Sequence, residues 1–198
     1  MNPLNSIVGS IVVGVIIAVL ISVGMAGVVF YEPTVARWLH ILSGITWIGL
    51  LYYFNVVQTP AMAQAAADKG GPGGAGVSKY VAPLALVWFR WAAVATWLTG
   101  IWYLAYTHKL LSAVTLGGSE HDYYGMVIGT GGWLGTIMLL NVWVFIWPNQ
   151  KKILGIVPAN DEQKAKARKV ALMASRTNFV LSIPMIMCMA SASHNLPF

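Results

Sequence analysis

Of 198 residues, 58% are hydrophobic and only 9% are charged, where a soluble domain carries about 25% charged residues. So few charges cannot cover a water-facing surface, and the mean hydropathy of +0.69 points the same way. The net charge of +6 does not imply nucleic acid: no basic patch on a nucleic-acid-binding motif is visible, and the basic residues gather in one loop, as the positive-inside rule expects.

The first apolar run, about Ile7 to Phe30, holds no charge. As a helix it spans roughly 36 Å, enough for a bilayer core of ~30 Å. No Lys or Arg precedes it, and it exceeds the ~7–15 apolar residues of a signal peptide, so it reads as a retained helix. The second run is Pro33 to Val57, with Pro33 suited to a first helical turn. Gln58 to Lys79 reads as a loop, because Lys69 to Gly76 is dense in glycine. That stretch lacks the Gly-Lys-Ser/Thr ending of a phosphate-binding loop. The third run is Tyr80 to Tyr106, followed by a polar loop, His108 to Asp122. The fourth is Tyr124 to Trp147, ending at Pro148. A basic linker, Asn149 to Lys169, leads to the fifth, Val170 to Ser191, where Pro184 predicts a kink. The expectation is an all-α integral membrane bundle of about five transmembrane helices, forming one domain over residues 1–198.

The linker carries Lys151, Lys152, Lys164, Lys166, Arg168 and Lys169 against Asp161 and Glu162. The positive-inside rule puts it in the cytoplasm. Counting back, the N-terminus and the loop with Lys69 and Lys79 are cytoplasmic too, and the His108–Asp122 loop and the C-terminus face outward. The expected location is the inner membrane of a bacterium, as a multi-pass protein. Trp38, Tyr106, Tyr123, Tyr124 and Trp147 fall near segment ends, as an interfacial belt does.

All four histidines fall in the outer half of this topology. Imidazole is the commonest metal ligand and also ligates haem iron. His108 and His121 lie in polar loop sequence, where solvated side chains are ordinary. Glu120-His121-Asp122 is a weak outward metal candidate. His40 is different, because it lies inside an apolar segment where an unsatisfied ionisable group is costly. It reads either as a ligand or as a hydrogen bonder between helices. His194 lies near the water boundary. A second polar set lies in the other half: Asn55, Gln58, Arg90, Asn141, Arg176 and Asn178. No acidic residue lies in any predicted span. Arg90 is therefore expected to face the interior, toward carbonyls, Asn141, Asn178, water, a lipid phosphate or the anionic groups of a cofactor. Cys188 has no cysteine to pair with and reads as a small buried hydrophobe. The glycines of segments one and four read as packing surfaces. Neither a Gly-x-Ser-x-Gly elbow nor a His-Glu-x-x-His motif occurs.

Four blocks carry a family resemblance. They are Arg37-Trp-Leu-His-Ile-Leu-Ser-Gly-Ile-Thr-Trp-Ile-Gly49, Trp88-Phe-Arg-Trp-Ala-Ala-Val-Ala-Thr-Trp-Leu-Thr-Gly100, Leu134 through Lys152, and Ser175 through Met185 with His194 beyond it. In this order they resemble the membrane domain of the urate oxidase N-terminal family, whose long members continue into a cytochrome c domain. Only His40 and His194 keep histidine at the pattern's positions. Val87, Ala92, Thr136 and Thr177 depart from it, and no Cys-x-x-Cys-His occurs.

The resemblance implies a redox context. The reading it supports is a membrane subunit that binds b-type haem, with His40 and His194 as haem or metal ligands and Arg90 and Arg176 as further cofactor contacts. Such a subunit would pass electrons to a respiratory partner such as cytochrome c. The alternative is a non-catalytic accessory subunit of a larger membrane complex. Either protein sits among lipids, in a complex or a homo-oligomer. A transporter would need broken helices around a midplane site, and only Pro184 and the Gly129–Gly135 stretch hint at one.

Overall fold

A computed structural model describes residues 2–27, 30–118 and 121–197. Among them there is no strand. The helices are α1 (Ile7–Ala26), α2 (Glu32–Ala67), α3 (Val77–Tyr106), α4 (Leu110–Val114), α5 (Tyr123–Ile153) and α6 (Asp161–Ser191). All except the short α4 are long and apolar enough to cross a membrane. The chain falls into two compact units, residues 1–34 and 35–198.

In the first unit, the Ser6 hydroxyl accepts from the Gly9 N–H at 3.0 Å and caps α1. Gly27, at φ +73°, ends the helix in a conformation that glycine takes without strain. No residue of α1 is buried. A helix that is apolar on every side suits lipid rather than water.

The second unit is a ring of four long helices. On α2, buried Ala36 is followed three turns later by Trp47, Leu51 and Asn55, and on α3 Leu86, Phe89, Ala93 and Thr96 recur every three or four positions. On α5 the stripe is Met138, Val142 and Ile146, and on α6 it is Ala174, Asn178, Ser182 and Met185. That spacing turns one face of each helix inward. Phe54 of α2 meets Phe89 of α3, with ring centres 5.5 Å apart, and Tyr52 meets Phe179 of α6 at 4.8 Å. Trp91 of α3 meets Trp143 of α5 at 5.4 Å. Asn141 of α5 donates to Asn178 Oδ1 of α6 at 2.7 Å. These pairs place the helices in the order α2–α3–α5–α6 around the ring, with neighbours antiparallel. One end of the bundle carries His40. The other carries Lys151, Lys152 and the first turns of α6.

The helices outrun the segments predicted from sequence. α2 does not stop at Val57 but continues to Ala67, because Ala61 to Ala67 is rich in the best helix former. The predicted loop shrinks accordingly. α5 passes Pro148 and ends at Ile153. α6 begins at Asp161, taking Lys164, Lys166, Arg168 and Lys169 of the basic linker into a helix. The Asn160 and Gln163 side chains form a reciprocal capping box there, and Asp161 and Glu162 favour the positive end of the helix dipole. α6 also runs unbroken through Pro184. α1 ends at Ala26, short of the predicted Phe30, and residues 28 and 29 lie outside the described set.

Three wide turns explain why proline interrupts so little. α2, α3 and α5 contain π-helical stretches at Tyr53–Gln58, Val77–Val81 and Val142–Ile146. Each closes with a bond to the carbonyl five residues back: Thr59 to Phe54, Ala82 to Val77, and Trp147 to Val142. Pro60, Pro83 and Pro148 each stand two positions after such a stretch. A proline ring collides with the carbonyl four residues earlier in a regular α-helix. The wider turn moves that carbonyl aside, so the helix continues.

Candidate functional site

His40 lies on the inward stripe of α2, four residues after buried Ala36. Its Nδ1 is 2.8 Å from the backbone oxygen of Thr96 on α3. A carbonyl can only accept, so Nδ1 carries the proton and donates. Neutral imidazole then presents Nε2 with its lone pair. Gly100, one turn beyond Thr96, makes this approach possible. A Cβ there would lie 3.0 Å from His40 Cε1 and 3.1 Å from Nδ1. Gly44, one turn along α2, faces the Thr96 methyl at 3.7 Å from where its own Cβ would stand. On the far side of α3, Trp97 Nε1 donates to Thr136 Oγ1 of α5 at 3.0 Å. Thr136 follows Gly135, which is buried, yet a Cβ on Gly135 would meet no atom within 4 Å. At this level the bundle thus combines a fixed imidazole with glycines that let α2 and α3 approach.

The other histidines are not drawn to His40 by any contact among the described residues. His194 is exposed in the turn after α6, where its N–H donates to Ser191 O at 2.9 Å. It lies past the end of the helix, so it shares no helical face with Arg176. The C-terminal segment is tied to the same end of the bundle, because Leu196 N–H donates to the Tyr123 hydroxyl at 3.2 Å. His108 and His121 stand at φ +57° and +51°, at either side of the α4 connection. Glu120 lies outside the described residues. Among those described, no three His, Cys, Asp or Glu side chains form a group able to hold a metal. Asp122 is instead an anchor. Its Oδ2 accepts from the Ser112 hydroxyl at 2.8 Å, and its Oδ1 accepts from the Tyr124 N–H at 3.1 Å. Lys109 Nζ lies 3.5 Å away. The Ser112 hydrogen bond, with help from Lys109, holds the Asp122 carboxyl below the usual carboxylate range.

Toward the basic end lies the second polar set. Asn141 and Asn178 serve each other and the backbone: Asn141 Nδ2 also donates to Ala174 O at 2.8 Å, and Asn178 Nδ2 to Met138 O at 3.0 Å. They are not Arg90's partners, as the sequence had suggested. The Arg90 guanidinium carbon sits 3.7 Å from the centre of the Trp147 ring, a cation–π contact. Arg176 is exposed. Asn55 Nδ2 donates to Leu51 O at 2.8 Å and to the Ser175 hydroxyl at 2.9 Å. Asn55 Oδ1, Gln58 Oε1, Arg90 Nη1 and Trp143 Nε1 are buried without a hydrogen-bond partner. Three of these four residues lie on the wide turns of α2 and α5.

Sequence reasoning singled out His40 but missed Thr96, Gly100 and Trp147. The glycine in Thr96-Trp-Leu-Thr-Gly100 was the available signal, since a small residue on an apolar helix leaves room for a large neighbour. The prolines after each wide turn were another.

The family model described as Urate oxidase N-terminal matches residues 26–121 and 119–198. The chain belongs to the urate oxidase N-terminal family. The match covers the whole of the four-helix unit, including His40, Thr96 and Gly100. No match was found among curated proteins or among solved structures.

Proposed function

We propose that this urate oxidase N-terminal chain is a membrane redox subunit in which His40 ligates the iron of a b-type haem. One observation carries the reading: the hydrogen bond from His40 Nδ1 to the Thr96 carbonyl. Ligating histidines characteristically donate their other ring N–H to a carbonyl or carboxylate, which fixes the ring and raises the basicity of the ligating nitrogen. Thr96 does this for Nε2. Gly100 keeps a side chain off the ring, and Gly44 leaves only the Thr96 methyl near its own α-carbon. A bound haem would supply one-electron transfer.

His40 would hold the group through Nε2. His194 is the second candidate ligand, and the Leu196–Tyr123 bond keeps its segment at the histidine end. Arg90 and Arg176 lie toward the basic end and are not assigned to this group. The reading places the basic end in the cytoplasm of a bacterium, by the positive-inside rule. The histidine end then faces outward, open to an electron partner such as cytochrome c.

The test is the absorbance spectrum of the purified protein, oxidised and then reduced with dithionite. The parent should show a Soret band and sharp reduced α bands, and His40→Ala should lose most of both while keeping its helical circular dichroism. A parent purified from haem-replete cells with a featureless visible spectrum rejects the haem reading and leaves the accessory-subunit alternative.

A further inference from the structure

The outward side of the α5–α6 pair carries an apolar groove. Two adjoining cavities, of about 390 and 290 Å³, share Asn141, Phe145 and Thr177. The groove passes Ile137 and Leu140 at one extreme and reaches Lys169 at the other. It therefore runs along the membrane-facing surface for about two helical turns, ~12 Å, and opens toward the basic end.

Two cations stand beside it. Lys169 lines the groove, and Arg176 lies seven residues on, two turns deeper on the same face of α6. Both are exposed, and neither makes a hydrogen bond or ion pair among the described residues. An unpaired arginine two turns inside an apolar span is costly unless an anion or water reaches it. Its side chain leans toward the helix N-terminus, and so toward Lys169. The chain has six carboxylates; on α6 they are Asp161 and Glu162, in its first turn. Among the described residues no carboxylate pairs with Arg176.

We propose that the groove seats an anionic phospholipid, with its phosphate between Lys169 and Arg176 and an acyl chain along Phe145, Met173, Ile137 and Leu140. The apolar walls match the chain, and Lys169 at the interfacial end, with Arg176 reaching back toward it from two turns deeper, matches the phosphate. The site is on the outer face of α5–α6, so it stands independently of the haem reading.

The experiment uses the full chain, delipidated in detergent and then transferred to nanodiscs of phosphatidylglycerol or of phosphatidylcholine. Native mass spectrometry counts retained lipid, and thermal unfolding reads stabilisation. The parent should retain one phosphatidylglycerol and melt several degrees higher in that lipid than in phosphatidylcholine. Lys169→Gln/Arg176→Gln should lose at least half of that difference. Thr177→Trp, which fills the shared part of the groove without touching a charge, should lose the retained lipid. A control, Lys151→Gln/Lys152→Gln, should keep it. Circular dichroism establishes that each variant is folded, and the single variants replace the double if it is not. Equal retention by parent and the Lys169/Arg176 variant overturns the site. So does equal loss in the control, which would indicate general surface charge. Stabilisation by inorganic phosphate alone, with no need for a lipid, overturns the groove as its basis.

Discussion

Gly100 is the sharpest place to perturb the His40 site, because the histidine itself is left intact. In an exposed helix, Gly→Ala stabilises by about 1 kcal/mol through backbone entropy. Gly49 on α2 offers that baseline: it is exposed, and a Cβ there meets no atom within 4 Å. At Gly100 the same Cβ would stand 3.0 Å from His40 Cε1 and 3.1 Å from Nδ1. The ring must yield by a few tenths of an ångström, and the 2.8 Å bond to Thr96 weakens with it. An intramolecular hydrogen bond contributes ~0.5–1.5 kcal/mol net, so the helical gain and the crowding loss nearly cancel. Gly49→Ala should therefore stabilise by about 1 kcal/mol, and Gly100→Ala should change stability by less than ~0.5 kcal/mol. Gly100→Leu should lose ~1–3 kcal/mol by overpacking, and with it any cofactor spectrum. Equilibrium unfolding in mixed micelles measures the first difference and absorbance the second. If Gly100→Ala gains as much as Gly49→Ala, and Gly100→Leu keeps its stability, then the ring does not depend on that glycine and the packing argument is wrong.

Asn178 is fully buried and makes two bonds to α5. At ~0.6 to ~1.7 kcal/mol for each polar contact between membrane helices, Asn178→Leu should cost ~1–3 kcal/mol. A double-mutant cycle with Asn141→Leu should show coupling, and additive losses would mean that the pair is not bonded. Arg90→Leu gives up a cation–π contact of ~1–2 kcal/mol but also removes a buried N–H that lacks a partner, at ~1–3 kcal/mol. Its unfolding free energy should stay within about 1 kcal/mol of the parent, and a much larger loss would reveal a bound anion. For Asp122 the carboxyl is depressed by Ser112 and Lys109. Its contribution is complete above the ordinary carboxylate value of ~3.9 and is lost as pH falls through the lower folded value. At neutral pH, Asp122→Asn should speed hydrogen exchange at the amides of Tyr124 and Met126. The difference from the parent should close once pH falls below the depressed value.

The five spans were legible because charge is so scarce between Ile7 and Phe30, or between Tyr80 and Tyr106. Their ends were not. Ala61 to Ala67 has the composition of a helix but stands next to a glycine-rich turn, and the turn dominated the reading. Pro148 looked like a terminator because proline ends regular α-helices; the wide turn before it depends on five-residue bonds that no hydrophobic period reveals. His40 stood out as a polar group in an apolar segment. That its partner would be the Thr96 carbonyl could not be read, since every helical residue has a carbonyl and only the packing of α2 on α3 selects one. Arg90 shows the opposite error. Asn141 and Asn178 were available by type, but each had a nearer partner across the α5–α6 contact, and Trp147, assigned to the interfacial belt, took the guanidinium.

The wide turns also divide the bundle along its length. A π turn is an α turn holding one extra residue, so deleting one residue within Tyr53–Gln58 or Val142–Ile146 would restore the α-helix and leave the residues on either side in register. The same deletion in a regular turn has no such slack, and everything beyond it would swing by about 100° around the helix axis. In α2 the part that stays in register is the alanine-rich stretch to Ala67, and in α5 it is the last turns with Lys151 and Lys152. Ala36, His40, Trp47, Gly135 and Met138 lie on the other side of these points and keep their facing too. The wide turns are therefore the places where the bundle tolerates the loss of one residue without re-aiming either half.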